Sequence, residues 1–199
     1  MTFVLGLTGS IATGKSSIAQ IFKEYKIPVI EGDMIAHLVQ AKGTDTFKTI
    51  VVKFGSKILT DDGSLNRSKL GRIVFANKDQ LQCLERIIDP MIRLKIQENL
   101  KKLKKRQVPL IIVEIPLLFE KKFEKMMNQI MLSYIPYKLE IKRLMMRDNL
   151  KEEEAKKRIK LQDSIEEKKK KTDIVIDNSG SFTQTRKQVE KWLKCFLFK

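Results

Sequence analysis

The chain has 199 residues, 42% of them hydrophobic, with two cysteines and a formal net charge of +16. That length suits one α/β unit carrying insertions, with enough apolar residues for a core. No apolar run approaches the roughly 20 residues that span a bilayer, and Cys83 and Cys195 form neither a disulfide framework nor a C-x-x-C metal pair. A reducing, cytoplasmic setting is expected.

Phe3-Val4-Leu5-Gly6-Leu7-Thr8 reads as a short buried strand. It leads straight into Gly9-Ser10-Ile11-Ala12-Thr13-Gly14-Lys15-Ser16, so it is expected as a core strand, not a signal peptide. Those eight residues fit the phosphate-loop pattern G-x-x-x-x-G-K-[ST]. Ser17 opens a helix with Ile18, Ile21 and Phe22 on one face. In that context the loop N–H groups and the positive end of the helix dipole cradle phosphates. Lys15 can reach the β and γ phosphates, and the Ser16 hydroxyl can ligate Mg²⁺.

Pro28–Ile30 reads as a second strand. From Asp33 to about Val108 the gap far exceeds a simple crossover, which predicts an inserted helical lobe. Phe47, Ile50, Val51 and Phe54 share a helical face, Asp61-Asp62-Gly63 is a turn, and Leu70 to Ile88 continue helically. Asp89-Pro90 predicts a helix break or a new helix start. Val108–Ile115 and Gln129–Ser133 read as strands three and four. A second insertion between Ile135 and Lys171 is highly charged and reads as a mobile helical lobe, with pairs such as Glu152–Lys156. Asp173–Ile176 is the fifth strand, and Phe182–Phe198 an amphipathic helix with Val189, Trp192, Leu193 and Phe196 inward. Strands alternating with helices argue for a parallel sheet covered on both faces.

Three features add chemistry to the loop. Asp33 follows the second strand, where a parallel sheet binds ligands at its carboxyl end. It suits orientation and deprotonation of an acceptor hydroxyl, capping of the helix starting at Met34, or support of Mg²⁺ through its bound groups. Glu114 and Glu120 flank Pro116 at the end of strand three, and fit either Mg²⁺ support, orientation of a nucleophile, or a plain turn. Arg143 and Arg147 share a helix face and suit either phosphate oxygens or a solvated surface, and Arg158 could contribute similarly. His37, the only histidine, is expected to pack against the inserted lobe, and Cys83 to be a small buried residue.

The positive charge is uneven. Residues 1–50 carry a net of +1 and residues 101–150 a net of +7. Lysine runs such as 101–106 and 168–171, with only 7% aromatics, read as solvated helix faces and not as a base-stacking surface. No dedicated nucleic-acid or membrane partner is expected. A nucleic-acid-stimulated NTPase and a different nucleoside or nucleotide kinase are the rival readings of the motif.

Together these residues resemble the dephospho-coenzyme A kinase family. The likeness runs from Leu5 to about Gly180, through Val29-Ile30-Glu31-Gly32-Asp33, Gly63-Ser64-Leu65-Asn66-Arg67 and Ile73-Val74-Phe75-Ala76-Asn77. Pro116-Leu117-Leu118-Phe119-Glu120, Arg143-Leu144-Met145-Met146-Arg147 and Val175-Ile176-Asp177-Asn178-Ser179-Gly180 complete it. The resemblance implies a P-loop kinase core with a five-stranded parallel sheet flanked by helices, a helical CoA-binding lobe and a helical lid. It implies a core of 1–33, 107–135 and 172–199, an acceptor lobe of 34–106 and a lid of 136–171. The implied reaction moves the γ-phosphoryl group of ATP, with Mg²⁺, to the ribose 3′-hydroxyl of dephospho-CoA. Lys15, Asp33 and Arg147 take the catalytic roles. ATP is held by Gly9 to Ser17, Arg143, Arg147 and Asn178, and the acceptor by Thr8, Asp33, Arg67, Phe75, Pro116 and Leu117. The chain has Ser10 and Ala12 where the family commonly has glycine, Glu31 where it usually has aspartate, and Asp89-Pro90 where it usually has His-Pro. The phosphate cradle is expected to survive with Ser10 and Ala12 at negative φ.

Overall fold

The computed structural model describes residues 2–197. The chain divides into two compact units, Met1–Ile30 with Arg106–Lys199, and Glu31–Lys105. Five strands, β1 (Phe3–Gly9), β2 (Val29–Glu31), β3 (Leu110–Glu114), β4 (Gln129–Tyr134) and β5 (Ile174–Asp177), form one sheet in the order β2-β3-β1-β4-β5. The sheet is parallel, with register Leu5↔Ile112 between β1 and β3, Leu7↔Met131 between β1 and β4, and Leu132↔Val175 between β4 and β5. β1 and β3 are buried along nearly their whole length, which explains their continuous apolar runs.

In the first unit, α1 (Lys15–Glu24) and α9 (Phe182–Leu197) pack on this sheet. Ile18, Ile21 and Phe22 are fully buried with Leu5, Leu7, Ile112, Val189 and Leu193. Trp192 meets Phe22 edge-on and stacks on Phe196, so the terminal helix closes the core as its periodicity predicts. Phe198, the last residue predicted for that helix, lies outside the described residues. Between β4 and β5 come α6 (Tyr137–Asp148), α7 (Glu152–Ile159) and α8 (Ile165–Lys170). Ile141, Leu144, Ala155 and Ile159 give α6 and α7 a small core of their own.

The second unit consists of α2 (Gly32–Val39), α3 (Asp45–Phe54), α4 (Arg67–Phe75) and α5 (Lys78–Lys105), with a short 3-10 turn between α3 and α4. Thr44 and Asn66 cap α3 and α4 by accepting from the N–H groups of Phe47 and Lys69. Three expectations fail here. Asp89-Pro90 neither breaks nor starts a helix, because α5 runs 28 residues straight through Pro90. The missing N–H costs one hydrogen bond, but Ile88, Ile96 and Leu100 are buried on either side and hold the helix continuous. His37 is exposed and not packed. Cys83 is half-buried, since the face of α5 that it shares with half-buried Ile87 is only partly covered.

Candidate active site

Because the strands run parallel, the loops that leave β1, β3, β4 and β5 emerge at one edge of the sheet. The phosphate loop leaves β1 at Gly9 and enters α1 at Lys15. Two of its glycines are required by contact. A Cβ at Gly9 would lie 2.5 Å from Thr13 Oγ1 and 2.9 Å from the Ser133 carbonyl. Gly14 sits at φ +82, and a Cβ there would collide with the Asn178 amide.

The loop is braced internally and from outside. The Thr13 hydroxyl donates to the Ser10 carbonyl at 2.9 Å. The Lys15 ammonium is buried and donates to the Ser10 carbonyl at 2.9 Å and the Gly9 carbonyl at 3.4 Å. From β4, the Ser133 hydroxyl donates to the Thr13 carbonyl at 2.7 Å. From beyond β5, the Asn178 amide donates to the same carbonyl at 2.7 Å and to that of Gly14 at 3.4 Å. The Thr185 hydroxyl in turn donates to Asn178 Oδ1 at 2.7 Å. Ser16 is exposed on the first turn of α1.

Ala12 departs from expectation. Its φ is +59, in the left-handed region, so the loop keeps a glycine-like backbone despite the methyl group. Ile11 and Ala12 pack against the α6–α7 core, and that contact offsets part of the strain. Ser10 does not share this conformation, since it is absent from the positive-φ residues.

Glu140 on α6 is fully buried, and the Ser10 hydroxyl donates to its Oε1. Its Oε2 is buried without a hydrogen-bond partner. Burial pushes this carboxyl up, against the opposing pull of the Ser10 hydrogen bond and of the Lys15 and Lys168 charges.

At the end of β3 the Pro116 carbonyl is a junction. It accepts from Thr8 Oγ1 at 3.2 Å and from Lys168 Nζ at 2.9 Å. Lys168 is fully buried on α8 and pairs with Glu120 at 2.8 Å. Glu120 also accepts from the Asp163 N–H at 3.0 Å. The run 168–171 is therefore not a uniformly solvated face. Lys168 lies three residues after buried Ile165 and shares its inward side, while Lys169 to Lys171 are exposed. The helical spacing from Ile165 was the available signal for Lys168. Glu140 had weaker notice, as a polar residue beside Ile141 and Leu144.

Arg143 and Arg147 lie on α6. Arg143 donates to the Ser179 carbonyl at 3.4 Å. Arg147 grips Asp148 with two N–H groups, at 2.8 and 3.2 Å, and Arg158 from α7 reaches the same carboxylate at 2.9 Å. The Arg147 hydrogen bonds, with the Arg158 charge beside them, hold the Asp148 carboxyl below the usual carboxylate range.

The first unit holds Thr8, the loop Gly9 to Ser17, Pro116, Leu117, Asn178 and the α6 arginines; contacts join Thr8 to Pro116, Asn178 to the loop, and Arg143 to Ser179. Asp33, Arg67 and Phe75 belong to the second unit. Asp33 is exposed in the first turn of α2, one residue inside Gly32, whereas the cap position is Glu31. Asp33 is therefore not the helix cap that its sequence allowed. Arg67 opens α4 and is exposed, as is Phe75 at its end.

Comparison with known proteins shows the family of the chain. The sequence profile described as dephospho-CoA kinase matches residues 3–184. A dephospho-CoA kinase from Enterococcus faecalis is 43% identical over 194 residues, covering 98% of this chain and 97% of the relative. Among solved structures, a Thermus thermophilus protein superposes with a TM-score of 0.84 at 30% identity, covering 98% of both chains. The dephospho-CoA kinase from Campylobacter jejuni gives 0.75 at 36% identity, covering 98% of this chain and 96% of that one. The chain belongs to the dephospho-CoA kinase family of P-loop kinases, which phosphorylate dephospho-CoA in the final step of coenzyme A biosynthesis.

Proposed function

We propose that this chain transfers the γ-phosphoryl group of Mg²⁺-bound ATP to the ribose 3′-hydroxyl of dephospho-CoA in the cytoplasm, with the following division of labour. The loop N–H groups and Lys15 hold the triphosphate, helped by Arg143 and by Asn178 acting through the loop backbone. The exposed Ser16 hydroxyl is a hard oxygen donor at the first turn of α1, which fits a Mg²⁺ ion shared with phosphate oxygens. Among the described residues no cluster of three or more His, Cys, Asp or Glu side chains could hold a metal by itself. A magnesium ion that arrives with ATP matches that sparse donor set. When bound, it would neutralise developing phosphate charge.

Residues 34–106 form the acceptor lobe in this reading and 136–171 the lid. Asp33 orients the acceptor hydroxyl, Thr8, Arg67, Phe75, Pro116 and Leu117 take the acceptor-binding roles, and Arg147 offers a forked guanidinium to the transferring group. Phosphoryl transfer passes through a loose transition state, so orientation by Asp33 matters more than its strength as a base.

The observation that carries this reading is the complete phosphate loop, braced at Thr13 by Ser133 and Asn178, with the Lys15 ammonium buried behind it. An acceptor panel tests it. Dephospho-CoA should turn over far faster than nucleoside monophosphates or adenosine. Preference for one of the latter would move the chain's activity to another acceptor.

A further inference from the structure

Ser10 is the node of the phosphate loop. Its carbonyl accepts from both Lys15 Nζ and Thr13 Oγ1, each at 2.9 Å, and its hydroxyl donates to buried Glu140. Any rotation of Ser10 therefore carries the resting place of the Lys15 ammonium with it. Glu140 is an expensive residue for that position. Its carboxyl is fully buried and its second oxygen has no hydrogen-bond partner. An apolar side chain on α6 would avoid that penalty and extend the stripe of Ile141 and Leu144. Such local conflicts are tolerated where function needs them. Glu140 also lies three and seven residues before Arg143 and Arg147, on the same face of α6. The bond to Ser10 thereby fixes the rotation of the arginine-bearing face against the loop.

We propose that Glu140 is a positioning residue for the nucleotide site, fixing the phosphate loop through the Ser10 hydroxyl and so setting where Lys15 stands. The proposal rests on the nucleotide-site reading above. It adds a residue that the loop motif does not contain. Glu140 acts through Ser10 and touches no substrate. Its effect should fall on ATP, not on the acceptor.

The test is steady-state kinetics with thermal melting on S10A, E140A, E140Q and the double variant S10A/E140A. Loss of one buried hydrogen bond should raise the KM for ATP roughly threefold to tenfold in S10A and E140A. The KM for dephospho-CoA should stay within about twofold of wild type, since one face of the site is untouched. E140Q keeps an acceptor oxygen for Ser10 and should recover most of the ATP affinity. The double variant should be no worse than the poorer single one, because both remove the same contact. Lowered melting temperatures with both KM values unmoved would reduce Glu140 to a structural residue and overturn the proposal. Additive effects in the double variant would overturn it too. S10A removes only a hydroxyl, so it keeps the test decisive if E140A does not fold. K15A serves as the separate control. Near-wild-type turnover by folded K15A would remove the nucleotide-site reading itself, whatever the Ser10 and Glu140 variants do.

Discussion

The Asn178 side-chain amide donates to the Thr13 carbonyl at 2.7 Å, joining the end of β5 to the middle of the phosphate loop. The Thr185 hydroxyl fixes the other end of that amide, so its orientation is set from α9. Asn178→Ala should leave the buried Thr185 hydroxyl without this partner and cost about 1–3 kcal/mol of stability in denaturant unfolding. The KM for ATP should rise with it. A silent Asn178→Ala would show that Ser133 holds the Thr13 carbonyl without it.

Ala12 holds a left-handed backbone that glycine adopts freely. Ala12→Gly should relieve that strain, and the lost methyl contact and gained chain entropy offset part of the gain. A net stabilisation of about 0.5–1 kcal/mol is expected, or roughly 2–4 °C in Tm per kcal/mol for a chain of this size. A lower Tm would mean that the methyl packing on the α6–α7 core outweighs the backbone strain.

Lys168 is buried with Glu120, and removing one partner strands the other charge. Lys168→Met should destabilise the chain by about 3–5 kcal/mol. The double variant with Glu120→Gln should recover a large share, since both buried charges are then gone. Equal stability of the single and double variants by chemical denaturation would show that Glu120 does not depend on Lys168.

Asp33 lies inside α2 and not at its cap. Asp33→Asn and Asp33→Ala should therefore both melt close to wild type, losing only about 0.3–1 kcal/mol of favourable helix-dipole interaction. Single-turnover transfer to dephospho-CoA should fall by roughly two to four orders of magnitude in both. A fully active Asp33→Asn enzyme would move acceptor orientation to another group.

Much of this molecule was legible in its sequence. Strand runs such as Leu110–Val113 are unbroken because both faces are buried, and the glycines of the loop mark close approaches. The failures share a cause. Local backbone chemistry at Pro90 predicts a break, but α5 is held by side chains buried on both sides of it. The residue type of Ala12 favours negative φ, but the loop holds a left-handed backbone there. Lys168 sits in a run whose other members are solvated, and Glu140 is 130 residues from the Ser10 hydroxyl that it accepts. The spacing from Ile165 marks Lys168, but the Ser10–Glu140 contact leaves no periodicity to read.

Asp148 already fills the fork of Arg147 and shares itself with Arg158. In the proposed mechanism, a phosphate that takes the edge of Arg147 filled by Asp148 would displace that carboxylate and collect only the difference between two anions. The resident anion acts as a standing competitor. Asp148→Asn should then tighten nucleotide binding while slowing release, so that affinity and kcat move in opposite directions, a split that product-release kinetics would detect.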